Sequence, residues 1–252
     1  MSTNLKRIMF LVSAIILWEV VYKIEVWPEF MFPSPLQVFK TLWSGIKDGT
    51  YTIALLHSIR RLLIGYFIAT ILGASIGVIL ASNKTLDETF GSLVLSFQSV
   101  PSVVWLPLAI LWFKLGEPSI IFVVVIGGIW NMIISSSTGI KNVSPEFIRC
   151  AKNLGYKNIK MFAKVIVPAS IPHIITGMRL AWAFCWRALM AAEILGTGKG
   201  LGQILMWGRD MGNMQTVLSV MIMIALTGFI TDNLIFKKLE GRVLERWGLL
   251  NN

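Results

Sequence analysis

The sequence predicts an all-α membrane protein of six transmembrane helices with both termini on the cytoplasmic side. Three observations predict it. Of the 252 residues, 55% are hydrophobic and only 14% are charged, and mean hydropathy is +0.71, a balance that soluble domains rarely show. Apolar stretches of about 20 residues, the length that spans a bilayer as a helix, recur along the chain. Lysine and arginine are unevenly divided between the segments joining those stretches, thirteen on the side that holds the N-terminus and eight on the other, and the richer side is the cytoplasmic one.

The first span covers residues 8–26. It follows Lys6-Arg7 like a signal peptide, but no small-residue cleavage site follows it, so it is read as uncleaved. Glu19 within it is expected to face protein. Ser34-Pro35 then supplies a cap and a first-turn proline. Phe39, Leu42, Trp43 and Ile46 give the helix that follows an amphipathic stripe, as for a helix lying on the outer surface.

The second span covers 62–81. Arg60 and Arg61 mark its outer end, and Gly65, Gly73, Ala74 and Gly77 allow close helix approach. Residues 83–88 read as a polar turn with Thr85-x-x-Glu88 as a capping box. The third span, 90–113, contains Pro101 and Pro107, so it bends or breaks. Gln98 and Ser99 stand just before the first proline. The break is either a structural kink or part of a pathway lining. After a short outer turn at 114–118, the fourth span runs over 119–140 with Gly127-Gly128, Asn131 and a Ser/Thr run at 135–138.

Residues 144–172, SPEFIRCAKNLGYKNIKMFAKVIVPASIP, form the longest polar interval. Ser144 can cap a helix, Pro145 suits its first position, and Glu146 sits near the positive end of the dipole. Phe147, Ala151 and Leu154 give one apolar face and Gly155 a stop. A second helix starts near Asn158. Ile159, Phe162, Ala163 and Ile166 form its apolar stripe, with Lys157, Lys160 and Lys164 opposite, and Pro168 and Pro172 are expected to end it. Two short amphipathic helices between spans form a platform. It either rests on anionic headgroups or receives a soluble partner.

The fifth span, 174–195, carries Arg179, which can snorkel from the inner end, then Arg187 and Glu193. A mid-span arginine costs about 2.5–3.5 kcal/mol on insertion scales, so Arg187 must face protein or water. It either lines a cavity, bonds carbonyls freed by Pro101 or Pro107, or pairs with Glu19. Glu193 lies on another side of the same helix. Residues 196–215 are expected to form an outer loop. Its GTGKGLG lacks the Lys-Ser/Thr ending of a phosphate loop. The sixth span covers 214–236 and a basic amphipathic tail follows.

Cys150 and Cys185 are far apart and read as small hydrophobes, and His57 and His173 are isolated, so no metal site is expected. The net charge of +10 comes without a basic stripe interleaved with aromatics, so no nucleic-acid partner is expected. A secondary transporter or channel would often show internal repeats or several paired intramembrane charges. An intramembrane enzyme would need a catalytic constellation. The sequence shows neither.

Ala151, Gly155 and Ile166-Val167-Pro168 resemble the cytoplasmic loop of ATP-binding cassette (ABC) importer permeases, which runs Glu-Ala-Ala, three residues, Gly, about nine residues, Ile-x-Leu-Pro. Arg149 stands where that family has Glu, Cys150 for the first Ala, and Val167 for Leu. The phrases FPSP (32–35), LAILWF (108–113), AWAFCWRALMAAE (181–193), GLG (200–202) and LERW (244–247) resemble permeases of the nitrate, sulfonate and taurine type. The resemblance implies a type I importer fold and a transport subunit rather than an enzyme. It implies a bacterial or archaeal cytoplasmic membrane, a second copy of the chain, and an extracytoplasmic substrate-binding protein. It also implies two ATPase subunits that bind ATP and magnesium, with no cofactor in this chain. The cargo would be a small, anionic solute. One permease domain would cover 1–252. Residues 1–60 would be the first span and outer helix, and 61–236 a five-helix core with a docking loop at 141–172. Residues 237–252 would form the tail. The ATPase would dock on Glu146, Phe147, Arg149, Ala151, Leu154, Gly155, Phe162 and Pro168. Gln98, Asn131, Arg187 and Glu193 are the candidates for the substrate pathway.

Overall fold

The structure, a computed structural model, describes residues 3–196 and 198–248. All regular structure among them is helical. Four helices are long and apolar enough to cross a membrane, Thr50–Ser82, Glu117–Lys141, Asn158–Leu195 and Met214–Arg246. The pair Lys84–Ser99 and Ser102–Phe113, bent by 96°, gives a fifth if taken as one broken span. By contacts the chain divides into two units, Met1–Ser58 with Gly198–Thr227 and Ile59–Thr197 with Gly228–Asn252.

In the first unit, α1 (Thr3–Lys23) ends before the expected boundary at 26 and carries Lys6, Arg7, Glu19 and Lys23. Glu19 does not turn to the protein interior; it pairs with Lys23 one turn on, at 3.5 Å. α2 (Pro35–Lys47) starts on a reciprocal box, with Ser34 Oγ accepting the Gln37 N–H at 3.3 Å and Gln37 Oε1 accepting the Ser34 N–H at 2.9 Å. Phe39, Trp43 and Ile46 are exposed as their stripe predicts. Asp48 follows, its carboxyl held below the usual carboxylate range by the Thr50 N–H at 2.9 Å. The expected loop 196–215 is largely helical: α10 (Leu201–Asp210) buries Leu201, Gly202 and Gly208, and the Leu201 N–H donates to Ser58 Oγ at 3.0 Å. Thr197 of that loop lies outside the described residues. The Tyr51 and Ser219 hydroxyls bond at 2.7 Å, joining the first turn of α3 (Thr50–Ser82) to α11 (Met214–Thr231).

α3 begins twelve residues before the expected start at 62. Its first turns already bury Tyr51, Ala54 and Ser58, so Arg60 and Arg61 stand within the helix and not at its end. In the second unit its buried stripe continues through Leu62, Gly65, Tyr66, Ala69, Gly73, Gly77 and Leu80, a helical period. The glycines let α6 (Glu117–Lys141) approach. A Cβ on Gly77 would lie 2.5 Å from the Ile133 carbonyl oxygen, and one on Gly73 2.7 Å from Met132 Cβ. The residues expected as a turn at 83–88 open α4 (Lys84–Ser99) instead. Its cap is Asn83, whose Oδ1 accepts the N–H groups of Thr85 at 3.0 Å and Leu86 at 3.2 Å, and not Thr85. The predicted break follows at Pro101. A 3₁₀ turn (Ser102–Trp105) leads into α5 (Leu106–Phe113) with Pro107 in its first turn.

α7 (Pro145–Asn153) and α8 (Asn158–Met161) form the platform. Pro168 and Pro172 do not end the second platform helix. It passes through a π turn (Phe162–Ile166) into α9 (Val167–Leu195), a single run of 38 residues. Pro168 stands directly after the π turn, inside the continuous run, and buried Pro172 sits further along the same helix, which tolerates it. The helix expected as the sixth span likewise runs past 236. A π turn (Asp232–Phe236) joins α11 to α12 (Lys237–Arg246), so most of the expected tail is helix. Tail residues 249–252 lie outside the described residues.

Candidate functional site

Two features of the second unit carry the candidate residues. The first is the platform. Ser144 Oγ accepts the Glu146 N–H at 3.3 Å. At the other end of α7 the Gly155 N–H donates to Lys152 O at 3.0 Å and the Tyr156 N–H to Ala151 O at 2.9 Å. This pair of bonds needs a left-handed residue between them, and Gly155 supplies it at φ 79°. Ala151 is buried and anchors the helix. Phe147 at 52% and Leu154 at 76% remain exposed, although both belong to the apolar face. Glu146 and Arg149 are exposed, while Phe162 and Pro168 are half-buried. A cleft of about 310 Å³ opens among Phe147, Ala151, Leu154, Pro168 and Trp247.

The second feature is a cavity of about 240 Å³ lined by Gln98, Ser99, Trp130, Asn131, Phe184 and Arg187. Gln98 Nε2 donates to Asn131 Oδ1 at 3.0 Å, so the break after α4 and the middle of α6 meet here. Phe97 stacks on Trp130 at 5.3 Å. The Trp130 indole N–H has no partner among the described residues. Arg187 is exposed. Its Nε donates to Ala183 O at 3.2 Å on its own helix, and its guanidinium lies 4.3 Å from the Phe184 ring. No acid pairs with it among the described residues. The structure brings three of the four pathway candidates to one cavity.

Glu193 goes elsewhere. It is buried and accepts from Arg61 Nη1 at 2.9 Å. Arg61 Nε reaches Glu117 at 3.3 Å and Arg60 reaches the same carboxylate at 3.6 Å. Sequence reasoning missed this cluster because Arg61 looked like a boundary marker. The available signal was its place four residues before Gly65, on the glycine face. It also missed a second cluster. Arg179 does not snorkel: its Nε and Nη2 bond both oxygens of Asp232 at 2.7 Å, and its Nη1 bonds Glu240 at 2.7 Å. The signal there was a lone acid, Asp232, inside an apolar span.

An all-α chain with several membrane-crossing helices, a helical platform at the foot of one and a small arginine-lined cavity among them is a multi-pass membrane transport protein. The chain belongs to the family of binding-protein-dependent transport system inner membrane components, which matches residues 69–243. It is 33% identical over 176 residues to a putative ABC transporter permease protein of Methanocaldococcus jannaschii, covering 69% of this chain and 66% of that one. It is 29% identical over 233 residues to the putative aliphatic sulfonates transport permease protein SsuC of Bacillus subtilis, covering 92% and 84%. To the nitrate import permease protein NrtB of Leptolyngbya laminosa it is 28% identical over 210 residues, covering 80% and 75%. Its fold is shared with a chain of the MetNI methionine ABC transporter in an inward facing conformation. The TM-score is 0.70 at 16% identity, over 78% of this chain and 97% of that one. The protein is therefore a permease component of an ABC importer in the inner membrane.

Proposed function

We propose that two copies of this chain form the translocation pathway of an ABC importer for a small anion such as a sulfonate, taurine or nitrate. Two ATPase subunits bind ATP and magnesium and dock on the platform residues 146–168, and a binding protein delivers the anion from outside. The chain is one permease domain of six spans with both termini inside. Residues 1–60 form the first span and outer helix, 61–236 the core, and 237–252 the tail. Glu146, Arg149 and Gly155 shape the docking surface that Phe147, Leu154 and Phe162 fill, while Ala151 and Pro168 hold it. Gln98, Asn131 and Arg187 line the pathway, and Glu193 braces it.

The observation that carries the reading is Arg187, a mid-helix cation at a cavity with no acidic partner among the described residues. A charge so placed is retained where it meets water or a counter-ion. Relatives named for aliphatic sulfonates and nitrate support an anionic cargo. The test is ATP-driven uptake of labelled sulfonate or nitrate by the complex reconstituted with its binding protein. Arg187→Gln should abolish uptake with assembly intact, and Arg187→Lys should keep part of it. Unchanged uptake in Arg187→Gln removes it from the pathway. Uptake that persists without the ATPase assigns the chain to a secondary transporter or channel.

A further inference from the structure

The docking reading leaves α12 without a role. None of its residues is fully buried, so apolar packing alone does not fix it. Charge does. Arg179 bonds Asp232 through two nitrogens and Glu240 through the third, each at 2.7 Å. Thr176 Oγ1 adds a bond to the other Glu240 oxygen at 2.7 Å. Bidentate, charge-assisted bonds fix angle as well as distance. The two acids are eight residues apart, about 12 Å along the helix, so one arginine fixes the direction of the chain after the π turn.

That direction has a consequence at Trp247. Its ring, 37% exposed, lines the cleft together with Phe147, Leu154, Tyr156, Lys164 and Pro168. The cleft is apolar, and the helices that form it carry Arg149, Lys152, Lys164 and Arg246. We propose that α12 is the third wall of the ATPase-docking surface. Trp247 packs against an apolar side chain of that subunit set within an acidic rim, and Arg179 is the positioning residue that aims α12 at it. The inference rests on the docking reading above. The basic helices call for an acidic partner. A bilayer surface would satisfy the lysines without a cleft, whereas a cleft with an aromatic wall fits a protruding side chain. Tryptophan and arginine are also the residues that most often carry interface energy.

The test uses the assembled importer in nanodiscs, with a photo-cross-linking benzoylphenylalanine at position 147 or 247. Cross-links from both positions to the ATPase support the proposal. A cross-link from 147 alone overturns it and leaves the docking reading standing. Cross-links from neither overturn both. Cross-linking of 247 to phospholipid only assigns α12 to the membrane surface and overturns it. Trp247→Ala should weaken ATPase retention by about tenfold, as for truncation of an interface tryptophan. Arg179→Gln should lose the 247 cross-link and keep the 147 cross-link, and Arg179→Lys should restore part of it. Glu240→Gln, a milder change at the far acid, should reduce the 247 yield in the same selective way. A wild-type 247 yield in both Arg179→Gln and Glu240→Gln overturns the positioning role.

Discussion

Glu193→Ala tests whether the buried charges are part of what holds the helices together. The Arg61 and Glu193 side chains are 3% and 1% exposed and lie 2.9 Å apart. Removing one partner leaves the other desolvated, which costs about 3–5 kcal/mol for a buried pair. Arg61 would keep Glu117 at 3.3 Å, a carboxylate 39% exposed. A partly hydrated partner recovers only part of the loss, so the expected cost is near the lower bound, about 3 kcal/mol. The double variant Arg61→Met/Glu193→Leu removes both charges and retains volume. It should lie within about 1 kcal/mol of the native protein, because replacing a whole buried pair by apolar groups is often neutral. The assay is equilibrium unfolding of the purified permease in mixed micelles, run as a double-mutant cycle. Additive costs, or a Glu193→Ala cost below about 0.5 kcal/mol, would refute the reasoning, since an exposed pair behaves that way.

Gly77→Leu should cost about 1–3 kcal/mol by overpacking, because its Cβ would lie 2.5 Å from a backbone oxygen of α6 that cannot move alone; a native yield of folded protein would contradict this. Gly155→Val should cost about 1–2 kcal/mol locally through its left-handed backbone, since nothing lies within 4 Å of the added Cβ. It should lower transport per ATP hydrolysed in an assembled complex, while Gly155→Asn, which tolerates that conformation, stays near native. Equal coupling ratios in the Val and native complexes would show that the stop does not matter.

Most elements governed by local rules were legible in the sequence, though Asn83 and not Thr85 caps α4. Ser34, Ser144 and Gly155 act through neighbours within a few residues, and each does what its type predicts. The break at Pro101 was legible for the same reason. Elements governed by long-range partners were misread. Arg60-Arg61 looked like an edge because a charge is costly in lipid, yet Arg61 is neutralised by residues 56 and 132 positions away. Pro168 looked like a stop because a proline removes a helical bond, yet the helix runs on through it, with a π turn just before it where the ladder is offset. The cavity was half legible. Gln98, Asn131 and Arg187 stood out as polar groups in apolar spans, but Trp130 and Phe184 did not, since an aromatic in a span has no sequence mark separating lining from lipid contact.

The charges on α9 divide by what they meet. Arg179 is neutralised by Asp232 and Glu240, and Glu193 by Arg61. Arg187 lies between them, about 12 Å along the axis from Arg179 and about 9 Å from Glu193, and has no acid among the described residues. A helix that needed its charges only for packing would pair all of them, because an unpaired one is a net cost. The two paired groups brace α9 against α3 near its C-terminal end and against the α11–α12 run near its middle. The same helix starts at Asn158 in the platform. A displacement of the platform is therefore either taken up at the π turn 162–166, where the hydrogen-bond ladder is already offset, or passed along one continuous helix to the cavity that Arg187 faces. The braces decide between these outcomes. With α9 held by ion pairs at Arg179 and Glu193, the π turn lies on the platform side of both, and stiffening or loosening it should change transport per ATP hydrolysed in the assembled complex without altering the cavity.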